Sequence, residues 1–238
     1  MGTKKYSPRR QQAENRALAI PSKTIFWFVL QMMEWFSENG RNFSWRKYDY
    51  PLYRVIVTEL LLQRTRAGIV DRFIGRFFEL YPDWLTIAHG ESANLQKALE
   101  PFGLWQRRAA TLRKLATEIE NRGGALPDSR EELGTLPGLG PYVVNAILLY
   151  RDNRPEPLLD GSMARLLERF FGSRGLVDIR DDPFLNIIAR RVLQESDVSP
   201  LSLNWGMLDL AAQICTPASP KCEHCPLTKK CPSSTWTR

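Results

Sequence analysis

Two carboxylates in this sequence, Glu59 and Asp160, occupy positions that make them candidates for acid–base or electrostatic chemistry. Glu59 lies in the otherwise apolar run Leu52–Leu62, which predicts a helix buried on nearly all sides. A carboxylate there needs an ion-pair partner, a cleft or a raised pKa, and a salt-bridged structural role fits this position equally well. Asp160 follows a proline-containing linker and precedes a predicted helix, so local sequence alone favours an N-cap.

A second group with chemistry of its own is the cysteine cluster near the end of the chain, with the spacing C-x6-C-x2-C-x5-C. It comprises Cys215, Cys222, Cys225 and Cys231. Four thiolates accept either zinc or an iron–sulfur cluster. The single C-x2-C pair and the unequal gaps favour the iron–sulfur cluster, and we expect a structural role for it. Lys221 and Lys229 lie in the same loops, which predicts a basic, DNA-binding surface there.

A glycine hairpin, LPGLG at residues 136–140, has the features of a phosphate-binding turn. Gly138 and Gly140 flank Leu139 and allow a sharp turn with close approach to a ligand. Pro141 suits the first turn of the apolar helix that follows. Backbone amides that lead into a helix N-terminus bind phosphate without a dedicated side chain, so the hairpin indicates nucleic acid.

The elements that must position these groups are all predicted to be helical. Apolar residues recur at helical spacing from Thr24 onward, and no alternating stretch is long enough to predict a sheet. We therefore predict an all-α fold in which pairs of helices pack through short loops. Residues 1–22 are polar and basic without a period, which predicts a flexible tail. The arginines and lysine at 107, 108, 113 and 114 are interpreted as a solvated helix face.

Composition places the chain among folded, soluble proteins. Hydrophobic residues make up 43% of the 238 residues and aromatic residues 11%, which excludes a mostly disordered chain. The formal net charge of +7 suits a polyanionic partner. No apolar run is long enough for a membrane span, and the N-terminus lacks the apolar segment of a signal peptide. We expect a cytoplasmic monomer, nucleoid-associated in a prokaryote, that does not contact membranes.

The hairpin, the aspartate of LLDGSMARLL and the four-cysteine motif, in this order, resemble the helix-hairpin-helix DNA glycosylases of the endonuclease III type. The resemblance covers roughly residues 24–231. It implies two helical lobes with a DNA-binding cleft between them. One is a helical barrel with the helix-hairpin-helix (47–155), and the other is an iron–sulfur domain built from both chain ends (23–46 and 156–238). It also implies that the hairpin grips the DNA backbone, that Asp160 drives base excision, and that the cysteines hold a [4Fe-4S] cluster.

Position 142 bears on the reaction type. Bifunctional members of this family place a lysine there, two residues after the second hairpin glycine, to attack the sugar as an amine. This sequence has Tyr142, and a phenol cannot form a Schiff base. The resemblance therefore predicts a monofunctional hydrolase that leaves an abasic site. Pro141 replaces a basic residue often found at its position, which puts one phosphate contact in doubt.

The segment TELLLQRTRAG resembles the matching helix of adenine glycosylases and of thymine glycosylases that act on T·G mismatches. The resemblance implies that Glu59 and Tyr142 bound the base pocket and that Gln63 and Arg64 fill the gap left in the duplex. Tyr142 and the sequence FSWR favour thymine or uracil opposite guanine. The length of the sequence after Cys231, only seven residues, favours the same substrates. Adenine glycosylases continue at this point into a domain that reads oxidised guanine.

Two alternatives remain open from sequence. The first is an adenine glycosylase acting on A·G or on A opposite 8-oxoguanine, in which Glu59 would protonate the purine. The second is an iron–sulfur DNA-binding protein without turnover. The presence of both Asp160 and Glu59 argues against the second, because a binder has no need of carboxylates beside polyanionic DNA. In every case we expect double-stranded DNA, with a mismatched or damaged base, as the partner.

Overall fold

The computed structural model describes residues 8–235, and within that range every regular element is helical. The all-α prediction is therefore confirmed. No helix in this range is long and apolar enough to cross a membrane. The α-helices are α1 (Pro8–Leu18), α2 (Ser22–Asn39), α3 (Leu52–Leu62), α4 (Ala67–Leu80), α5 (Trp84–His89), α6 (Ser92–Leu99), α7 (Trp105–Asn121), α8 (Arg130–Leu133), α9 (Pro141–Asp152), α10 (Gly161–Phe171), α11 (Pro183–Gln194) and α12 (Pro200–Gln213). Short 3₁₀ turns lie at Glu100–Phe102 and Cys222–His224.

The chain divides into two compact units. The central unit runs from Asn42 to Asp152, and the terminal unit combines the residues up to Arg41 with those from Asn153 onward. Each unit has buried apolar helices of its own, as a folded domain requires.

The central unit is built around two helices that are apolar on nearly all sides. Every residue of α3 from Val55 to Leu61 is buried, and so is every residue of α9 from Val143 to Leu149. These two helices pack against each other, while α7 packs against α5 and α6. Because α3 and α9 have no solvated face, whatever polar group they carry lies inside the unit or at its edge.

The terminal unit packs α10 against α11 and α12, with α2 against α12. Helix α10 is strongly amphipathic and buries Met163, Leu166, Leu167 and Phe170. An ion pair ties the chain just after α2 to α12: the Asp209 carboxylate is fully buried and accepts from both the backbone N–H and the Nε of Arg41, each at 2.7 Å. Loss of the Arg41 side chain would remove a cation from beside this buried carboxylate and should destabilise the fold.

The first helix differs from the flexible tail predicted for residues 1–22. Pro8–Leu18 form α1, which packs on α11 and buries Ala13 and Ala17. Arg191 of α11 donates from Nη1 to the carbonyl oxygens of Ala17 and Ile20, each at 2.8 Å. The two alanines lie four residues apart on an otherwise polar helix. They are too few to form the hydrophobic stripe that would have predicted a packed helix, so the packing of α1 is visible only once α11 is in place. Residues 1–7 of the predicted tail lie outside the described residues.

Candidate active site

Asp160 is the N-cap of α10. Its Oδ1 accepts hydrogen bonds from the backbone N–H groups of Ser162 (2.9 Å) and Met163 (2.7 Å). Both cap bonds end on the same oxygen, so the carboxylate is fixed in orientation while Oδ2 takes no part in the cap. The side chain is half-buried. The N-cap bonds therefore fix the orientation of the Asp160 carboxylate and leave Oδ2 able to interact with a substrate.

The linker that leads to Asp160 is held by a buried asparagine on α12. Asn204 is fully buried, and its Oδ1 accepts from the Leu158 N–H at 2.7 Å. Its Nδ2 donates to the Glu156 carbonyl oxygen at 3.1 Å and to that of Pro200 at 2.8 Å. The Glu156 side chain is also buried and pairs with Arg190 at 2.7 Å. The linker before Asp160 is thus held by two hydrogen bonds of Asn204 and by the ion pair of Glu156 with Arg190, which limits its movement.

Glu59 and Tyr142 belong to the central unit and lie on the two helices at its centre. Glu59 is only 6% exposed on α3, and Tyr142 is half-buried in the first turn of α9, where it packs against the central apolar core. Since α3 packs on α9, the structure places the two predicted pocket residues on adjoining helices. A carboxylate and a phenol at such an edge can read or protonate a base that enters.

The hairpin turns as the two glycines predict. Gly138 has φ +82°, and a Cβ at that position would lie 2.5 Å from Cγ2 of Thr111 on α7. Leu139 is buried, so only its backbone can contact DNA. Its amide donates to the Leu136 carbonyl oxygen and that of Gly140 to the Gly138 carbonyl oxygen, each at 3.1 Å. The hairpin is therefore a tight, self-bonded turn with two exposed glycines.

Gln63 and Arg64 are exposed and lie in the loop that follows α3. A side chain of α7, Arg108, donates a hydrogen bond to this loop. Arg64 has φ +62°, a left-handed conformation that is uncommon for a side chain other than glycine. Leu104, half-exposed at 52%, precedes α7 with φ +48°. Strained exposed residues of this kind concentrate at functional sites. Both loops border one open cavity of about 290 Å³ together with Arg107 and Gly138.

The solvated face predicted for the arginines of α7 is wrong at Arg108. This residue is 8% exposed, and its guanidinium donates to the loop that carries Gln63 as well as to the turn before Leu104. The sequence-based prediction placed Arg108 on the solvated face because arginine is a charged residue, and helical periodicity alone does not reveal that its side chain is buried. Leu104 was missed because a single leucine after a glycine carries no periodic signal. Asn204 was missed because its hydrogen-bond partners lie in a linker more than 40 residues earlier in the chain.

The four cysteines line one cavity beside α10. Within residues 8–235, no group of three or more His, Cys, Asp or Glu side chains is placed to hold a single metal ion. Arg169 of α10 donates from Nη1 to the Cys215 sulfur at 3.4 Å and to the Thr216 carbonyl oxygen at 2.7 Å. Burial, with a smaller contribution from the neighbouring cysteines, raises the pKa of the Cys225 thiol to about 12. Lys221 and Lys229 are exposed on these loops and form no ion pair with any described residue.

The fold and these groups define a class of helical protein that has a glycine hairpin before one buried helix, a carboxylate that caps another helix, and a loop with four cysteines. Residues 57–180 match the family described as HhH-GPD superfamily base excision DNA repair protein. A thymine-DNA glycosylase of Aeropyrum pernix is 36% identical over 204 residues, which are 84% of this chain and 91% of that protein. A thymine/uracil-DNA glycosylase of Pyrobaculum aerophilum is 34% identical over 200 residues, 82% of this chain and 86% of that one.

A solved structure of a thermostable thymine-DNA glycosylase superposes with a TM-score of 0.81 at 29% identity, covering 89% of this chain and 97% of that one. The chain belongs to the HhH-GPD superfamily of base excision DNA repair proteins. It is a DNA glycosylase, a hydrolase of N-glycosyl bonds, and its partner is DNA.

Proposed function

We propose that this protein is a monofunctional glycosylase, acting as a monomer, that removes thymine or uracil mispaired with guanine. The observation that carries the proposal is the identity of 31–36% to three thymine or thymine/uracil glycosylases over 82–86% of the chain. The geometry supports it, because the buried Glu59 and the half-buried Tyr142 lie on adjoining helices where they can bound a base.

The reaction begins with extrusion of the mispaired base from the duplex. Flipping costs a few kcal/mol and is least costly at a mismatch, so selection starts before the base reaches the pocket. Gln63 and Arg64 fill the gap that the base leaves. Leu104 is 52% exposed and borders the same cavity, and its apolar side chain enters the duplex together with Gln63 and Arg64 as a wedge. Glu59 and Tyr142 then contact the flipped base.

Asp160 acts on the sugar. Cleavage of the bond between C1′ and the base nitrogen leaves the electron pair on the base and positive charge on C1′ and the ring oxygen. The negative Oδ2, held in place by the cap on Oδ1, stabilises that charge. Water adds its oxygen to C1′, and its proton leaves by way of the carboxylate to the departing base. The products are a free pyrimidine and an abasic site.

The excision panel that tests this proposal uses four duplexes, containing T·G, U·G, A·G and A opposite 8-oxoguanine. After incubation, alkali converts abasic sites to strand breaks that a denaturing gel resolves. We expect product from T·G and U·G, with matched T·A as the control. Product confined to the two adenine duplexes would replace thymine by adenine as the substrate. Salt-sensitive binding without product from any duplex would favour the non-catalytic alternative.

A separate prediction concerns the absence of a lyase step. Tyr142 occupies the position at which a Schiff-base amine would lie, so no covalent intermediate should form on the sugar. Borohydride added during turnover should trap no protein–DNA adduct, and strands should break only after alkali. A trapped adduct would show that another amine, such as a lysine elsewhere in the chain, attacks C1′.

We also propose that the four cysteines hold a [4Fe-4S] cluster. They line a common cavity, and four cysteine thiolates are the ligand set of such a cluster. Thiolates this close together repel one another, and a cationic metal centre offsets that repulsion. Cys215, Cys222, Cys225 and Cys231 would be the ligands. When bound, the cluster supplies a covalent clip for the loop and a one-electron redox couple.

The cluster is tested by the metal content of purified protein. We expect a brown protein with broad visible absorption and about four iron and four sulfide per chain. Cys225→Ser should lose both colour and iron. A colourless protein with one equivalent of zinc would contradict the proposal.

A further inference from the structure

Arg108 is a buried arginine whose hydrogen bonds all go to two loops. From its place on α7, the guanidinium Nη2 donates to the carbonyl oxygens of Leu61 (3.0 Å) and Gln63 (2.5 Å). Its Nη1 donates to the carbonyl oxygens of Phe102 and Gly103, the latter at 2.9 Å. One planar group thus binds the end of α3 and the turn before α7 together.

Thr65 completes the connection between these loops. Its Oγ1 accepts from Arg108 Nη2 at 2.9 Å and donates to the Phe102 carbonyl oxygen at 2.8 Å. The first loop is therefore tied to the second both through the guanidinium and directly. Within residues 8–235 the guanidinium of Arg108 bonds to no carboxylate, so its burial is compensated by hydrogen bonds to neutral oxygens. Burial accordingly lowers the pKa of Arg108.

The two loops that Arg108 joins are those that present the exposed wedge side chains. Gln63 and Arg64 lie in one loop and Leu104 lies in the other. All three residues border the same cavity. Arg64 and Leu104 both have positive φ, a conformation costing on the order of 1–3 kcal/mol each unless the surroundings fix it. Arg108 binds the carbonyl oxygen of the residue that precedes each of them, Gln63 before Arg64 and Gly103 before Leu104, so one guanidinium holds both strained turns.

We propose that Arg108, with Thr65, is a positioning residue that couples the Gln63–Arg64 loop to the Leu104 turn, so that both enter the duplex as one rigid wedge. The inference rests on the proposed function in that a base must be flipped, whichever base it is. A lysine cannot replace Arg108, because a single ammonium lacks the planar fork that reaches both loops.

The test compares Arg108→Lys with wild type on two substrates that differ only in the cost of flipping. One is the mismatched duplex, and the other holds the same target base in an unpaired bubble, where it is already unstacked. If Arg108 acts through the wedge, single-turnover excision from the duplex falls on the order of 10- to 100-fold, the usual cost of misplacing a group by about 1 Å. Excision from the bubble should change less than about threefold.

Two further variants make the comparison specific. Thr65→Val removes the hydroxyl at nearly constant volume and should shift the duplex-to-bubble ratio in the same direction by a smaller factor. Arg113→Lys is the matched control, because Arg113 also lies on α7 and donates to a loop carbonyl oxygen, that of the remote Gly90. It should leave the ratio unchanged even where it lowers the melting temperature.

Equal losses on both substrates in Arg108→Lys would overturn the inference, since that is the result of general structural damage. An unchanged ratio in both Arg108→Lys and Thr65→Val would overturn it as well. Failure of the proposed substrate is distinguishable, because wild type would then be inactive on T·G and U·G. The same comparison would in that case be made with the base that wild type does excise.

Discussion

Asp160→Asn should excise thymine from a T·G duplex on the order of a thousandfold more slowly than wild type, the scale reported for loss of one charge-stabilising group. The protein should remain folded, because asparagine caps helices as well as aspartate does, and its Oδ1 can keep both bonds to Ser162 and Met163. What is lost is the negative charge that faces the sugar. Single-turnover excision, mismatch binding and thermal unfolding measured together check this expectation.

Asp83→Asn is the control for an aspartate-to-asparagine change at an N-cap. Asp83 caps α5 and accepts from the Thr86 N–H at 2.8 Å, yet it is exposed and belongs to no part of the proposed site. Its variant should excise at the wild-type rate. Excision by Asp160→Asn within a few-fold of wild type would show that the cap is the whole role of Asp160.

Gly138→Ala should destabilise the protein and weaken DNA binding together. The added Cβ meets Thr111 Cγ2 at 2.5 Å in a backbone of φ +82°. A left-handed alanine costs about 1–2 kcal/mol and overpacking about 1–3 kcal/mol more, so the free energy of unfolding should fall by about 2–5 kcal/mol. Chemical denaturation measures that loss, and fluorescence anisotropy with a labelled duplex measures affinity.

Gly140→Ala separates the two effects. A Cβ at Gly140 has no described atom within 4 Å, apart from its own chain neighbours, and the residue has no positive φ. Stability should therefore be unchanged. If the hairpin approaches the DNA backbone closely, the methyl group should weaken binding about tenfold, equivalent to about 1.4 kcal/mol. Wild-type affinity in this variant would exclude close approach at Gly140.

Periodicity and spacing predicted much of this molecule because they report local constraints. The burial of Glu59 follows from the apolar residues around it in α3, and the left-handed turn at Gly138 follows from the LPGLG pattern. The common cavity of the four cysteines follows from their closeness in sequence.

The rest depends on partners distant in sequence. Helix α1 is ordered by α11, more than 160 residues later, so no window around Ala13 could reveal it. Arg108 is buried because two loops, one of them more than 40 residues earlier, turn their carbonyl oxygens toward it. Asn204 likewise satisfies a linker that precedes it by 46 residues. Hydrogen-bond partners of this kind are brought together only by the tertiary fold. Residue type alone therefore predicted, wrongly, that Arg108 lies on the surface.

Helix α10 joins the proposed catalytic carboxylate to the cysteine loop. Asp160 caps its first turn, while Arg165, near its middle, and Arg169, in its last turn, donate to the carbonyl oxygens of Cys215 and Thr216. Eleven residues make a rod roughly 16 Å long, too short to bend much. Because Arg165 and Arg169 bind carbonyl oxygens of the cysteine loop, we expect a displacement of that loop to move α10 and, with it, Asp160. The position of the proposed catalytic carboxylate therefore depends on how the cysteine loop folds.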